Sequence, residues 1–280
     1  MTRPTKKIKK PLWLNWEKRG YFGVPHAPVI PFFHEPHTQP TRAWLSAFQH
    51  ASHGDFRYID HVPALVGQQH EYIPYHTCAD LVGDAGRAST IDQLVEFITQ
   101  HHWNYELAYS WCRAVAIHGR LSDIPTLIDA YQAYTNPVDD DNDIILIRIA
   151  QVIDEAEFSK FDHIDKFANV DDYRTSALEH CKTLAERYGE DVLFFRGQPT
   201  SVRRMARMFI EPAGPLGMSL PSWTRHRFEA STGIDCTAMF DRRGVFKPLA
   251  AAAIAEAFLD SPAAAQYRDG VRYFFGHPVP

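Results

Sequence analysis

Asp139, Asp141 and Asp143 alternate like the opening of a calcium-binding EF-hand loop. Such a loop needs glycine at its sixth position for the sharp turn and a bidentate glutamate at its twelfth. Ile144 and Ala150 stand there instead, so calcium binding by that motif is excluded. His34-Glu35-Pro36-His37 has the letters of a zinc-hydrolase motif. Its histidines are three apart beside a proline, whereas two ligands on one helix face need a spacing of four. His101-His102 falls at an expected helix end, where imidazoles sit well against free carbonyls. Cys78, Cys112, Cys181 and Cys236 are dispersed, with no C-x-x-C pair. They read as buried, reduced thiols rather than zinc ligands. No phosphate-cradling glycine loop, nucleophile elbow or kinase signature is present. No catalytic residue, metal ligand or cofactor is therefore expected, and the chain is not expected to be an enzyme. A site assembled only in space, from residues 191–280, is the open alternative.

Charge is more informative than any motif. Residues 139–172 hold eleven acids against three bases, Arg148, Lys160 and Lys166, while the whole chain carries only −5. A solvated face explains such a run. A surface complementary to a basic protein, such as a nuclease whose groove takes nucleic acid, explains it too. Arg203, Arg204, Arg207, Arg225, Arg227, Arg242 and Arg243 form an opposite set that could cover the acidic face from within. The net negative charge argues against the chain itself binding nucleic acid.

The elements that must position these charges follow from a repeat. Gly86-Arg87-Ala88-Ser89-Thr90-Ile91-Asp92-Gln93-Leu94 is echoed 33 positions later by Gly119-Arg120-Leu121-Ser122-Asp123-Ile124-Pro125-Thr126-Leu127. At the same offset Tyr72, Tyr75, Cys78, Ala79 and Val82 map onto Tyr105, Ala108, Trp111, Cys112 and Val115. Ile91, Leu94, Val95 and Ile98 map onto Ile124, Leu127, Ile128 and Tyr131. A period of this size marks stacked helical hairpins. Gly86 and Gly119 are expected at helix ends, Ser89 and Ser122 as N-caps, and Pro125 in a first turn. Trp44, Leu45, Phe48, Tyr58, Val62 and Leu65 suggest a degenerate first hairpin.

A third copy follows at an offset of 38, with Leu146, Ile149, Ala150 and Ile153 in the places of Ala108, Trp111, Cys112 and Val115. The extra residues fall at 136–143, which read as an exposed acidic loop outside the packing pattern. Beyond Ile153 the register fails, because a continued second helix would put Asp162 and Asp165 in the core. Helices are expected at 171–188, from Val202, at 222–231 and at 248–259. Val192-Leu193-Phe194-Phe195 suits a strand or a helix end, and Asp241-Arg242-Arg243-Gly244 a turn between two short strands. Residues 1–40, with prolines throughout and Trp13, Trp16, Tyr21, Phe22, Phe32 and Phe33, read as an extended arm lying on the body. No run of about 18 apolar residues and no signal peptide is seen, so no membrane partner is expected.

Phe228-Glu229-Ala230-Ser231-Thr232-Gly233-Ile234-Asp235 is one of two C-terminal strings that carry a resemblance. The other runs from Leu249-Ala250-Ala251-Ala252-Ala253-Ile254-Ala255-Glu256 through Gly270 to Pro280. Together they resemble the ends of bacterial HEAT-like proteins found with type VI secretion systems. Several of those are immunity proteins, which neutralise the toxin their own cell secretes. The repeats at 70–153 are consistent with that family, while residues 1–40 have no counterpart in it. The resemblance implies a cytoplasmic protein that binds a cognate toxin effector. Its alternative is a HEAT-like adaptor that binds an effector without inhibiting it. The family implies no catalytic residues to carry over.

The expected architecture is mainly α. It comprises an extended arm at 1–40, HEAT-like helical hairpins at 41–190, and a C-terminal helical region at 191–280 packed on them, with a short β-hairpin near the C-terminus. The residues expected to touch the partner are Asp139, Asp140, Asp141, Asp143, Asp154 and Glu155.

Overall fold

In this computed structural model, residues 20–23, 40–66, 75–100, 105–134, 143–154, 159–211, 222–243 and 245–280 are described. Most of the arm at 1–40, the loops at 135–142 and 212–221, and His101-His102 lie outside them. The described residues are mainly helical, with two small antiparallel strand pairs toward the C-terminus.

Three hairpins stack in two layers. One layer holds α3 (Tyr75–Ala85), α5 (Tyr105–His118) and α7 (Ile144–Ile153). The other holds α4 (Ala88–Gln100), α6 (Ile124–Tyr134) and α8 (Val170–Tyr188). In each layer the helices pack on their neighbours in that order. The echoed apolar positions are what the layers bury: Cys78, Ala79, Val82, Ala108, Trp111, Cys112 and Val115 are all nearly solvent-free, as are Ile91, Leu94, Ile124, Leu127 and Ile128. Leu146, Ile149, Ala150 and Ile153 of the third copy join them. A degenerate hairpin, α1 (Pro40–Ala51), a 3-10 turn at Phe56–His61 and α2 (Val62–Val66), covers the open side of α3. Burial of the four thiols holds them well above the usual cysteine range; Cys112 and Cys181 are pushed up to about 12.

The echoed Gly-Arg turn links successive hairpins. Arg87 is ion-paired with Asp60 of the preceding hairpin. Arg120 lies 2.7 Å from Asp92 of the preceding repeat and forks onto Asp123 at 2.9 Å through both Nε and Nη2. The expected serine caps are corrected: α4 begins at Ala88, ahead of Ser89, and Ser122 sits in a 3-10 turn, Leu121–Asp123, before α6. The third repeat does not end at Ile153. Its second helix is delayed past residues 154–169 and returns as α8, whose Tyr173, Ala177, Cys181 and Leu184 are buried. The delay removes the conflict in the sequence register, since Asp162 and Asp165 stay in the connection.

Residues 191–280 add α9 (Val202–Arg207), α10 (Ser222–Thr232) and α11 (Pro248–Leu259). They also add two β-hairpins, β1 (Phe194–Phe195) with β2 (Gln198–Pro199) and β3 (Tyr273–Phe274) with β4 (His277–Pro278). The hairpins share one frame. Phe-Phe-Arg-Gly-Gln-Pro and Tyr-Phe-Phe-Gly-His-Pro each place two left-handed residues at the tip, Arg196 and Gly197 in one, Phe275 and Gly276 in the other. Two successive positive φ angles give the primed turn whose twist suits a two-residue hairpin. Each tip then caps a helix. Arg196 N–H and Gly197 N–H donate to Gln151 and Val152 carbonyls of α7, and Phe275 N–H and Gly276 N–H donate to Ala230 and Ser231 of α10. These carbonyls sit in or beside the last turn, where no intrahelical donor remains.

The hairpins also reach the two echoed glycines. Phe194 N–H donates to Gly119 O at 2.8 Å. Gly119 itself has φ +86°, and a Cβ there would lie 2.2 Å from Phe194 O. Before β3, the Arg272 guanidinium donates to the carbonyls of Gly83 and Gly86. Burial and nearby Arg227 push Arg272 down to about 9.

A buried ionic network joins the chain's distant parts. Asp84 of α3, 2% exposed, accepts from His226 Nε2 at 2.7 Å, Arg227 Nη1 at 2.9 Å and Tyr21 Oη at 2.9 Å. Glu229 accepts from Tyr21 N–H and Arg225, each at 3.0 Å. Tyr21 is fully buried in a 3-10 turn, Gly20–Gly23, stacked on Phe48 at 5.4 Å. The expectation of buried arm aromatics therefore holds at Tyr21; Trp13, Trp16, Phe32 and Phe33 lie outside the described residues. Arg225 and Arg227 correct another expectation, for they pair with Glu229 and Asp84 rather than cover the acidic segment.

Asp84→Ala strands two buried cations and is expected to cost about 3–5 kcal/mol, measured by urea unfolding. Gly119→Ala combines left-handed strain with a backbone clash and is expected to cost about 2 kcal/mol or more in the same assay. Burial alone would lower the His226 pKa, but Asp84 and Asp80 outweigh it and hold it above the ordinary value. His226 therefore binds its proton more tightly folded than unfolded. Its contribution is fully present below about pH 6.5 and is lost as pH rises through the folded value. Unfolding free energies measured across pH 5–9 should lose that decline in His226→Gln.

Candidate functional site

The acidic segment does not form one patch by sequence adjacency. Asp143 takes the N-cap position of α7 without a side-chain cap bond, and Asp154 takes the C-cap position. At about 1.5 Å per residue these ends lie ~16 Å apart. Asp139, Asp140, Asp141 and Glu155 lie outside the described residues.

The connection at 159–166 ties the two ends together. His163 Nδ1 lies 2.8 Å from Asp143 Oδ2, and its Nε2 lies 3.8 Å from Asp162. Asp162 also accepts from Lys166 Nζ at 2.6 Å, and Asp154 Oδ2 accepts from Ser159 Oγ at 2.6 Å. His163 thus bridges Asp143 and Asp162, while Asp154 is held separately by Ser159. Asp165, Asp171 and Asp172 point to solvent. The last two stand in the first turn of α8, where the helix dipole favours negative charge. Arg148 does not neutralise this face; it is turned to Tyr109 Oη at 2.7 Å and Gln151 Oε1 at 2.8 Å.

A cavity of about 190 Å³ opens on the same side. Its floor is Ile147, Ala150, Gln151 and Asp154, the i, i+3, i+4, i+7 stripe of α7. Ser159, Asp162 and His163 supply one wall, Trp223 and Thr224 at the start of α10 another, and Arg196 of the first hairpin tip a third. Trp223 is held from elsewhere by cations: Arg148 lies 4.6 Å and Arg113 5.2 Å from its ring. Arg113 in turn forks onto buried Asp80, with one contact at 3.0 Å. The ionic network therefore sets this indole in place.

Two polar atoms of the wall residues Trp223 and Thr224 have no hydrogen-bond partner. Trp223 Nε1–H and Thr224 Oγ1 are buried and unpaired, in residues 6% and 0% exposed. A buried donor left unmade costs about 1–3 kcal/mol. The cavity is thus lined by two carboxylates, an imidazole and a guanidinium beside the apolar Ile147 and Ala150. Among the described residues, no group of three or more His, Cys, Asp or Glu side chains is arranged to hold a metal ion.

Of the residues singled out in the sequence, the structure places Asp143 against His163 at one end of α7 and Asp154 against Ser159 at the other. It adds Ser159, Asp162, His163, Trp223 and Thr224, which spacing alone could not join. The only sequence signal for Asp162 was its conflict with the repeat register.

Thr224→Val keeps the shape and removes the unpaired hydroxyl. It is expected to leave stability unchanged or raise it by up to about 1 kcal/mol in urea unfolding, unlike the loss usual for a buried polar substitution.

Compared with known proteins, the chain matches no family model, no curated protein and no solved structure.

Proposed function

We propose that this chain is an immunity protein that acts in the cytoplasm, binding a cognate type VI secretion toxin and occluding its active site or substrate groove. The toxin is a basic protein, a nuclease being the class whose charge fits best. The chain itself binds, without catalysis, cofactor, nucleic acid or membrane. The observation that carries this reading is the acidic edge of the third repeat. Asp165, Asp171 and Asp172 stand exposed on a rigid two-layer stack, beside the Asp143–His163–Asp162 cluster.

Support comes from three directions. Stacked helical hairpins offer extended surfaces suited to protein partners. The dense negative charge of 139–172 would steer a basic partner to that edge and speed encounter at low salt. No helix of the described residues is long and apolar enough to cross a membrane. The resemblance of the C-terminal strings to HEAT-like type VI immunity proteins supplies the identity of the partner.

Co-expression with the toxin encoded by the neighbouring gene tests the reading: growth is restored if the chain neutralises it. Complex formation with persisting toxicity would instead assign an adaptor. Neutralising Asp139, Asp140, Asp141 and Asp143 together with Asp165, Asp171 and Asp172, each to asparagine, is expected to weaken toxin binding at least tenfold. It should also flatten the salt dependence, because interactions across water are screened over ~8 Å at physiological ionic strength. Unchanged affinity and salt slope in calorimetric titrations would remove this edge from the interface.

A further inference from the structure

We propose that the solvent-facing side of α11 is a docking surface for a second copy of this chain. The two α11 helices pack antiparallel, about a two-fold axis near Ala253. The pairing is independent of the immunity reading above, since it uses another face and no toxin takes part.

α11 buries Ala251, Ala255 and Phe258 on its inner side. Its outer side carries Leu249, Ala253, Glu256 and Asp260, at i, i+4, i+7 and i+11 along one helical face. All four are exposed. Leu249 is 88% exposed, and Val245, just ahead of the helix, is 59% exposed. Apolar residues scattered singly over a surface are ordinary. These two are the large apolar side chains left exposed among the described residues, and they fall within one five-residue stretch. They mark one place rather than a scatter.

The charges around this place select the occupant. Arg242, Arg243 and Lys247 are exposed at the start of α11, and Glu256 and Asp260 at its end. None of the five is ion-paired with another described residue. Asp241 also stands at the basic end, where its carboxylate accepts from Arg243 N–H and Val245 N–H. The polarity is the reverse of what a helix favours, since its dipole stabilises acids at the start and bases at the end. α11 has no acid in its first turn and no base in its last. Helix stability therefore does not explain the arrangement, and an antiparallel second copy does. At about 1.5 Å per residue Lys247 and Asp260 lie ~20 Å apart along the axis, so the two ends are electrostatically distinct. Antiparallel pairing sets the basic end of each copy against the acidic end of the other, whereas parallel pairing opposes like charges. Exposed Ala253 and Ala257 let the two axes approach closely, so that each Leu249 reaches the other helix. An acidic partner would be repelled by Glu256 and Asp260, and a basic one by Arg242, Arg243 and Lys247. The face needs both signs in reversed order, and the face itself supplies them.

Sedimentation equilibrium of the full chain, over about a hundredfold range of concentration, tests the pairing. The unmodified protein is expected to follow a monomer–dimer equilibrium. Leu249→Ser should weaken it about tenfold or more, and exposure of that side chain keeps the fold intact. Arg243→Glu/Lys247→Glu makes both ends acidic, and Glu256→Lys/Asp260→Lys makes both ends basic. Each variant alone should be monomeric, and an equimolar mixture of the two should dimerise again. A chain that is monomeric at every concentration overturns the proposal. Its retention on phosphatidylserine vesicles, lost in Leu249→Ser, would then give the face to a lipid surface. A dimer indifferent to Leu249→Ser also overturns the proposal, by placing the interface elsewhere, as does a mixture that stays monomeric. No toxin is present in any arm, so these outcomes leave the immunity reading to its own test.

Discussion

Asp84 is the constraint on which the arrangement turns. One buried carboxylate, on the first well-formed repeat, takes hydrogen bonds from the N-terminal segment through Tyr21 and from α10 through His226 and Arg227. Removing such a carboxylate from water is expensive, and its attraction to buried cations compensates only when the geometry is good and the other groups are satisfied. The apolar layers would tolerate many ways of docking a C-terminal region. A buried anion with three assigned donors tolerates few. Asp84 therefore specifies where α10 lies, and α10 carries Trp223 and Thr224 at its start.

The two hairpins extend the same logic with neutral groups. Every helix ends with carbonyls that no intrahelical N–H can reach. Here the ends of α7 and α10 are closed by the tips of two short hairpins that reuse one six-residue frame. Arg196 and Phe275 adopt left-handed backbone that non-glycine residues seldom occupy, at a local cost of about 1 kcal/mol or more. That cost is offset by two backbone bonds to each helix end. The first hairpin also docks on Gly119, and Arg272 beside the second binds the carbonyls of Gly83 and Gly86. The echoed glycines thus serve as landing points for residues far along the chain. The echoed arginines join each hairpin to the one before it.

The layered stack was legible because a helix buries one stripe, and that stripe repeats. Ile91 and Ile124, or Cys78 and Trp111, announce their burial by spacing alone. Cap positions were less legible. Ser89 and Ser122 are good cap types, but α4 starts at Ala88, two residues earlier than a Ser89 cap implies, and a 3-10 turn intervenes before α6. The break at Asp162 was visible as a conflict in the register. Its resolution, a long connection followed by α8, depends on a space that only neighbouring helices define. Reading the arginines as cover for the acidic segment failed at Arg225 and Arg227, because charge counting carries no direction.

What the sequence by itself determined was the periodic part: a mainly helical stack, its buried stripes and an acidic excess in 139–172. Those properties are local or repeat at a fixed interval, so they survive reading along one dimension. What only the tertiary structure decided was which charged groups meet. Asp154, Ser159, Asp162 and His163 face Trp223 and Thr224 across about sixty residues of chain because Asp84 and the hairpin tips place α10 beside α7. Pairings of that kind depend on distance and desolvation in three dimensions, and no spacing rule encodes them.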